Sequence, residues 1–145
     1  MNAKLKAGVL GASDGATSIA GVVAGGTAVG VGHTALAVTA IGGALAATVS
    51  MAGAEWLSED SDNWSAVEAM AAGTLLGAGL PAVPLLFASG FYATLLVILV
   101  SLGVGLAVGE TRFRSGRSSR WKSYTCTLLV LLTGATVGWL AGRYL

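Results

Sequence analysis

Three side chains able to bind a cation stand in stretches that otherwise avoid charge. Asp14 lies in GASDGATS (11–18), eight residues into the first apolar run of the chain. An ionised carboxylate facing lipid costs at least a few kcal/mol, so a retained one should face a polar path or a partner. A second reading is open: the span starts later, and Asp14 caps its helix with Ser13 and Gly15 completing the turn. In SMAGAEWLS (50–58), helical spacing puts Met51, Glu55 and Ser58 on one stripe at i, i+4 and i+7. A thioether beside a carboxylate is a ligand pair for a soft divalent ion. Equally, Met51 is ordinary packing and Glu55 an interfacial charge beside Trp56 in an aromatic belt.

Further acids follow at once. Glu59, Asp60, Asp62 and Glu68 form either a cation-attracting vestibule or a solvated loop with acids at a helix start. Other signals are thin. His33 has no second ligand in its turn, and Cys126 stands alone, which excludes an internal disulfide and a cysteine metal cage. The chain holds no HExxH and no Ser/His/Asp or Cys/His set, and GVGLAVG (103–109) follows no strand that would make it a nucleotide loop. Enzymatic chemistry is not expected, and a net charge of +1 gives no footprint for nucleic acid.

The elements that position these residues follow from composition. Of 145 residues 54% are hydrophobic and 10% charged, with mean hydropathy +0.78, against about 25% charged in a soluble domain. The solvent is therefore lipid. Crossing it takes about 20 mostly apolar residues, and five segments qualify: 7–31, 34–57, 66–88, 90–109 and 122–142. They predict one all-α, five-span domain over 1–145, packed closely through its Gly and Ala faces. Lys4 and Lys6 before an apolar run imitate a signal peptide, but no clean cleavage site follows and the span is read as retained. Gly21, Gly25, Gly26 and Gly30 make the first span the expected dimer face.

GVGH (30–33) and ASG (88–90) read as tight turns, and Ser65–Glu68 as a capping box opening the third helix. Pro81 and Pro84 each remove a backbone donor and leave the carbonyls of Gly77 and Leu80 without partners, which predicts a kink in the third span. With the N-terminus inside, the inner side carries Lys4, Lys6, Arg112, Arg114, Arg117, Arg120 and Lys122, and the outer side only Arg143. The positive-inside rule then puts the N-terminus in the cytoplasm and the C-terminus across the membrane. On that topology the glycosylation-like Asn63-Trp-Ser65 faces the wrong side to be used.

Three stretches together resemble the vacuolar iron transporter family. They are SDG (13–15) opening the first span, SMAGAEWLS (50–58), and the Gly-to-Pro-x-x-Pro pattern of GAGLPAVPLLF (77–87); the closing GWLAGRYL (138–145) fits the same end. The resemblance implies a five-span homodimer that moves Fe2+ or Mn2+ out of the cytosol in exchange for protons. It implies a metal path between the first and second spans of two subunits, with Asp14, Met51 and Glu55 as the metal-binding residues. No permanently bound cofactor is implied; the ion is cargo. A two-fold axis doubles the few ligands of one chain, and proton and metal would compete for one carboxylate. Two departures stand out. Only SEDSDNW (58–64) occupies the place of a large cytosolic metal-collecting domain, and Gly43 and Ala47 stand where relatives often carry an acid or amide. The alternative is a membrane scaffold or partner subunit that kept the fold without the ion cycle.

Overall fold

The computed structural model describes residues 2–58, 64–116 and 119–144. Five helices fill them: α1 (Ala3–Val29), α2 (His33–Ser58), α3 (Trp64–Ala82), α4 (Gly90–Arg114) and α5 (Arg120–Tyr144). With the 3-10 turn Val83–Leu86 that continues α3, all five are long and apolar enough to cross a membrane. The chain is thus an all-helical, multi-pass membrane protein. In lipid each backbone N–H and C=O needs a partner within the segment, which is why long apolar runs close into helices. Polar side chains obey the same demand. Thr17 donates to the Ser13 carbonyl at 2.8 Å, Thr74 to Met70 at 2.9 Å and Thr127 to Ser123 at 2.9 Å, each four residues back.

The boundaries differ from the expected spans in instructive ways. α1 starts at Ala3 because the Asn2 side chain accepts the Leu5 N–H at 2.9 Å, so Lys4 and Lys6 are helical extensions beyond the apolar core. It stops at Gly30, whose φ of 79° is open to glycine at no steric cost; the following N–H, of Val31, bonds the Gly26 carbonyl at 2.9 Å. α4 runs on to Arg114, past the apolar stretch, through an i,i+4 pair between Glu110 and Arg114 at 2.6 Å. α3 is described from Trp64, directly after residues outside the described set, so the expected capping box at Ser65–Glu68 falls at the edge of the described structure. Pro81 is accommodated inside α3, and the backbone changes to 3-10 geometry at Val83 with Pro84 in its first turn. The disturbance expected from the two prolines takes this form.

α1 is the axis of the bundle. Its N-terminal half meets α3 through Gly8 against Gly73 and Ala12 against Gly77; its C-terminal half meets α5 through Gly21 against Gly138 and Gly25 against Gly142. Both seams repeat every four residues, so the backbones touch where side chains would stand. A Cβ on Gly15 would lie 2.6 Å from the Thr74 carbonyl oxygen, and one on Gly25 would lie 2.8 Å from that of Gly138. Matched numbering along both seams makes α1, α3 and α5 parallel. The remaining core gathers Ile19, Val23, Leu36, Ala40, Ala78, Leu85 and Val97 where α1 to α4 converge.

This packing corrects the expected dimer face. Gly21 and Gly25 are used up against α5, Gly26 faces Leu36, and Gly30 is a helix cap. The small faces of α1 hold the monomer together. α2 is different: Cβ atoms on Gly42, Gly43 or Gly53 would meet nothing within 4 Å. α4 divides its glycines, with Gly105 against Leu131, Gly109 against Tyr124 and Gly103 open.

Candidate metal path

Asp14 sits deep within α1, eleven residues or about 16 Å after its first residue. The helix is capped by Asn2 and continues well before and after position 14, so the capping reading of Asp14 is overturned. Its neighbours Gly15 and Ala16 are buried against the bundle, whereas Asp14 itself is half-buried. Leu10, Asp14 and Ser18 form one stripe at i, i+4 and i+8, and both flanking members are exposed. No hydrogen bond or ion pair engages the Asp14 carboxylate among the described residues. A carboxylate at this depth, on an outer stripe and without an internal partner, faces whatever covers that stripe.

Met51 is half-buried against the small cluster of Ala7, Ala66 and Met70. Ala7 lies two turns, about 10 Å, before Asp14 on α1. Glu55, also half-buried, lies a further turn along α2 toward its end, and the Ser58 hydroxyl donates to the Glu55 main-chain carbonyl at 2.9 Å. α2 runs back toward the start of α1. Within one chain the three residues are therefore staged along the helices, with Glu55 nearest the end of the bundle where α1 starts, Met51 next and Asp14 deepest. Among the described residues no three His, Cys, Asp or Glu side chains gather into a metal cage. The described residues of one chain thus present the three candidate side chains singly, as a ladder on successive levels.

Glu68 is exposed near the start of α3. The other vestibule acids, Glu59, Asp60 and Asp62, lie outside the described residues. His33 is the first residue of α2, half-buried beside a pocket of about 470 Å³ that also holds Thr27 and Thr94, at the opposite end from Glu55.

Sequence reading missed one polar cluster. The Glu110 carboxylate accepts from Arg114 Nε at 2.6 Å and from the Tyr124 hydroxyl, while the Arg120 guanidinium stacks 4.7 Å over the Phe113 ring. Together they clamp the inner ends of α4 and α5. The i,i+4 spacing of Glu110 and Arg114 was the available signal; Tyr124, fourteen residues on, needed the hairpin to be known.

Residues 5–65 match the VIT family model. The matched stretch covers nearly all of α1, the whole of α2 and the first two residues of α3, and it contains Asp14, Met51 and Glu55. The match spans 61 of the 145 residues. No curated protein and no solved structure matches the chain.

Proposed function

We propose, from the VIT match over residues 5–65, that this protein carries Fe2+ or Mn2+ out of the cytosol in exchange for protons. The observation that carries the proposal is Asp14: a half-buried carboxylate, mid-helix in a candidate membrane span, with no partner among the described residues. Such a group is retained at a cost of at least a few kcal/mol and needs a function to explain it. Glu55 collects the ion at the inner end, Met51 favours softer ions over Mg2+ or Ca2+, and Asp14 exchanges metal for protons.

The missing ligands come from a second copy. On α2, Ala35, Thr39, Gly42, Ala46, Ser50 and Gly53 recur at spacings of three and four on one uncovered face. Small residues at that spacing let two helices approach closely. Dimerisation there, with the Leu10–Asp14–Ser18 stripe of α1 continuing the contact, doubles each rung of the ladder. The asymmetry of basic residues supports a cytoplasmic start of α1 in this reading.

Purified protein in liposomes, assayed for Fe2+ and Mn2+ flux with and without a pH gradient, tests this reading. Wild-type flux should depend on the gradient. Asp14→Asn keeps shape and hydrogen bonding, so the fold should be retained or stabilised while flux falls to background. Normal flux in folded Asp14→Asn, or no metal flux in wild type under any gradient, would end the transport proposal.

A further inference from the structure

On the side of α1 turned toward α3 and α4, a groove of about 740 Å³ runs along the membrane normal, and no residue of α2 or α5 lines it. Its floor is the α1–α3 seam, where Gly8, Ala12, Gly73 and Gly77 are too small to fill the space between neighbouring helices. Leu76 and Leu80 of α3 form one wall, and Val104 and Ala107 of α4 the other. Along α3 the groove extends from Ala69 to Leu80, about 16 Å of helix. That length matches one leaflet, half of the roughly 30 Å hydrocarbon core.

One end of the groove is polar, at Asn2, Lys4 and Thr111. Two of these already have hydrogen bonds: the Asn2 side-chain amide oxygen accepts the Leu5 N–H, and the Thr111 hydroxyl donates to the Ala107 carbonyl. Lys4 is exposed and enters no ion pair among the described residues. Lys6 lies two residues away, and Arg112 lies one turn beyond Val108 on the same α4 face. Of the acids near this end, Glu110 is engaged by Arg114 and Tyr124, and exposed Glu68 beside Ala69 stands against the three cations Lys4, Lys6 and Arg112. An apolar trough one leaflet long, ending at unpaired cations, has the chemistry of a phospholipid with a negative headgroup.

We infer that the α1–α3–α4 groove binds one anionic phospholipid of the inner leaflet, its acyl chain against the glycine seam and its phosphate at Lys4. The site is separate from the metal ladder and does not depend on transport.

Native mass spectrometry of the purified protein, titrated with phosphatidylglycerol or phosphatidylcholine, tests the inference. Wild type should retain one phosphatidylglycerol per chain in preference to phosphatidylcholine. Lys4→Gln, at an exposed position, should reduce that preference about five-fold, the factor equivalent to the roughly 1 kcal/mol by which one Lys near the surface attracts anionic lipid. Ala72→Phe and Ala107→Phe, both on exposed groove positions, should abolish retention of either lipid, while Ala141→Phe on α5 should not. Circular dichroism confirms which variants keep their helices, and Lys4→Gln carries the test should the aromatic variants fail to fold. Equal retention of both lipids by wild type, or a preference unchanged in Lys4→Gln, overturns the headgroup assignment. Lipid retention unchanged in a folded Ala72→Phe or Ala107→Phe overturns the groove as the site, as does a switch from dimer to monomer in those variants without loss of lipid.

Discussion

α1 and α2 carry similar small-residue stripes and use them in opposite ways. On α1, Gly8 lies against Gly73, Gly21 against Gly138 and Gly25 against Gly142, so its small faces are consumed inside one chain. On α2, Gly42, Gly43 and Gly53 look onto open space. Lipid tails are as apolar as leucine, so burial of apolar area does not drive helices together in a membrane; close van der Waals approach does. Each glycine stripe is thus an invitation to a neighbour. α1, parallel to α3 and α5, finds its neighbours within the chain, and α2 leaves one face open, the face proposed above for a second copy.

The sharpest test of this contrast is Gly25→Leu. A Cβ there would already stand 2.8 Å from the Gly138 carbonyl oxygen, and backbone does not yield as a flexible side chain does. The substitution should destabilise the monomer by about 3 kcal/mol or more, beyond the usual cost of overpacking. Thermal unfolding in detergent reads the effect; an unchanged midpoint would mean that the α1–α5 seam is wrongly placed. Next in size, Gly42→Leu on α2 should leave the unfolding of the monomer unchanged and raise the dimer dissociation constant about tenfold or more, some 1.4 kcal/mol. Single-molecule mass measurement in lipid follows it. A dimer indifferent to Gly42→Leu would move the interface away from this face. The smallest effect belongs to Gly103→Ala, on the open side of α4, where a Cβ meets nothing within 4 Å. It should stabilise slightly, by up to about 1 kcal/mol of helix propensity, with dimerisation and metal flux untouched. A loss of either would reveal a contact on α4 that the monomer does not show.

The contrast also explains which parts of the candidate path were legible. Asp14, Met51 and Glu55 announced themselves because charge and sulfur are conspicuous among Ala, Gly and Val. Their staging did not: it depends on α2 returning beside α1 with Met51 at the level of Ala7, two turns from Asp14. The capping reading of Asp14 failed because a polar residue at the very start, Asn2, caps the helix first and carries it back to Ala3. The α1 glycines expected at a dimer face pack within the chain instead, because spacing identifies a small stripe without identifying the partner that fills it. The lipid groove was invisible for a similar reason. Its residues are ordinary Gly, Ala, Leu and Val, and only the separation of α3 from α4 across α1 turns them into a trough.

The sequence by itself determined five apolar segments, their turns at Gly30 and before Gly90, and the asymmetry of basic charge. These are local properties, set by the energy of placing each side chain in lipid and by the φ that glycine alone takes freely. Tertiary structure decided which glycines meet one another, whether Asp14 finds a partner, and where space remains. Those outcomes depend on how helices distant in sequence share one axis, and α1 fixes them by touching α3 along its N-terminal half and α5 along its C-terminal half.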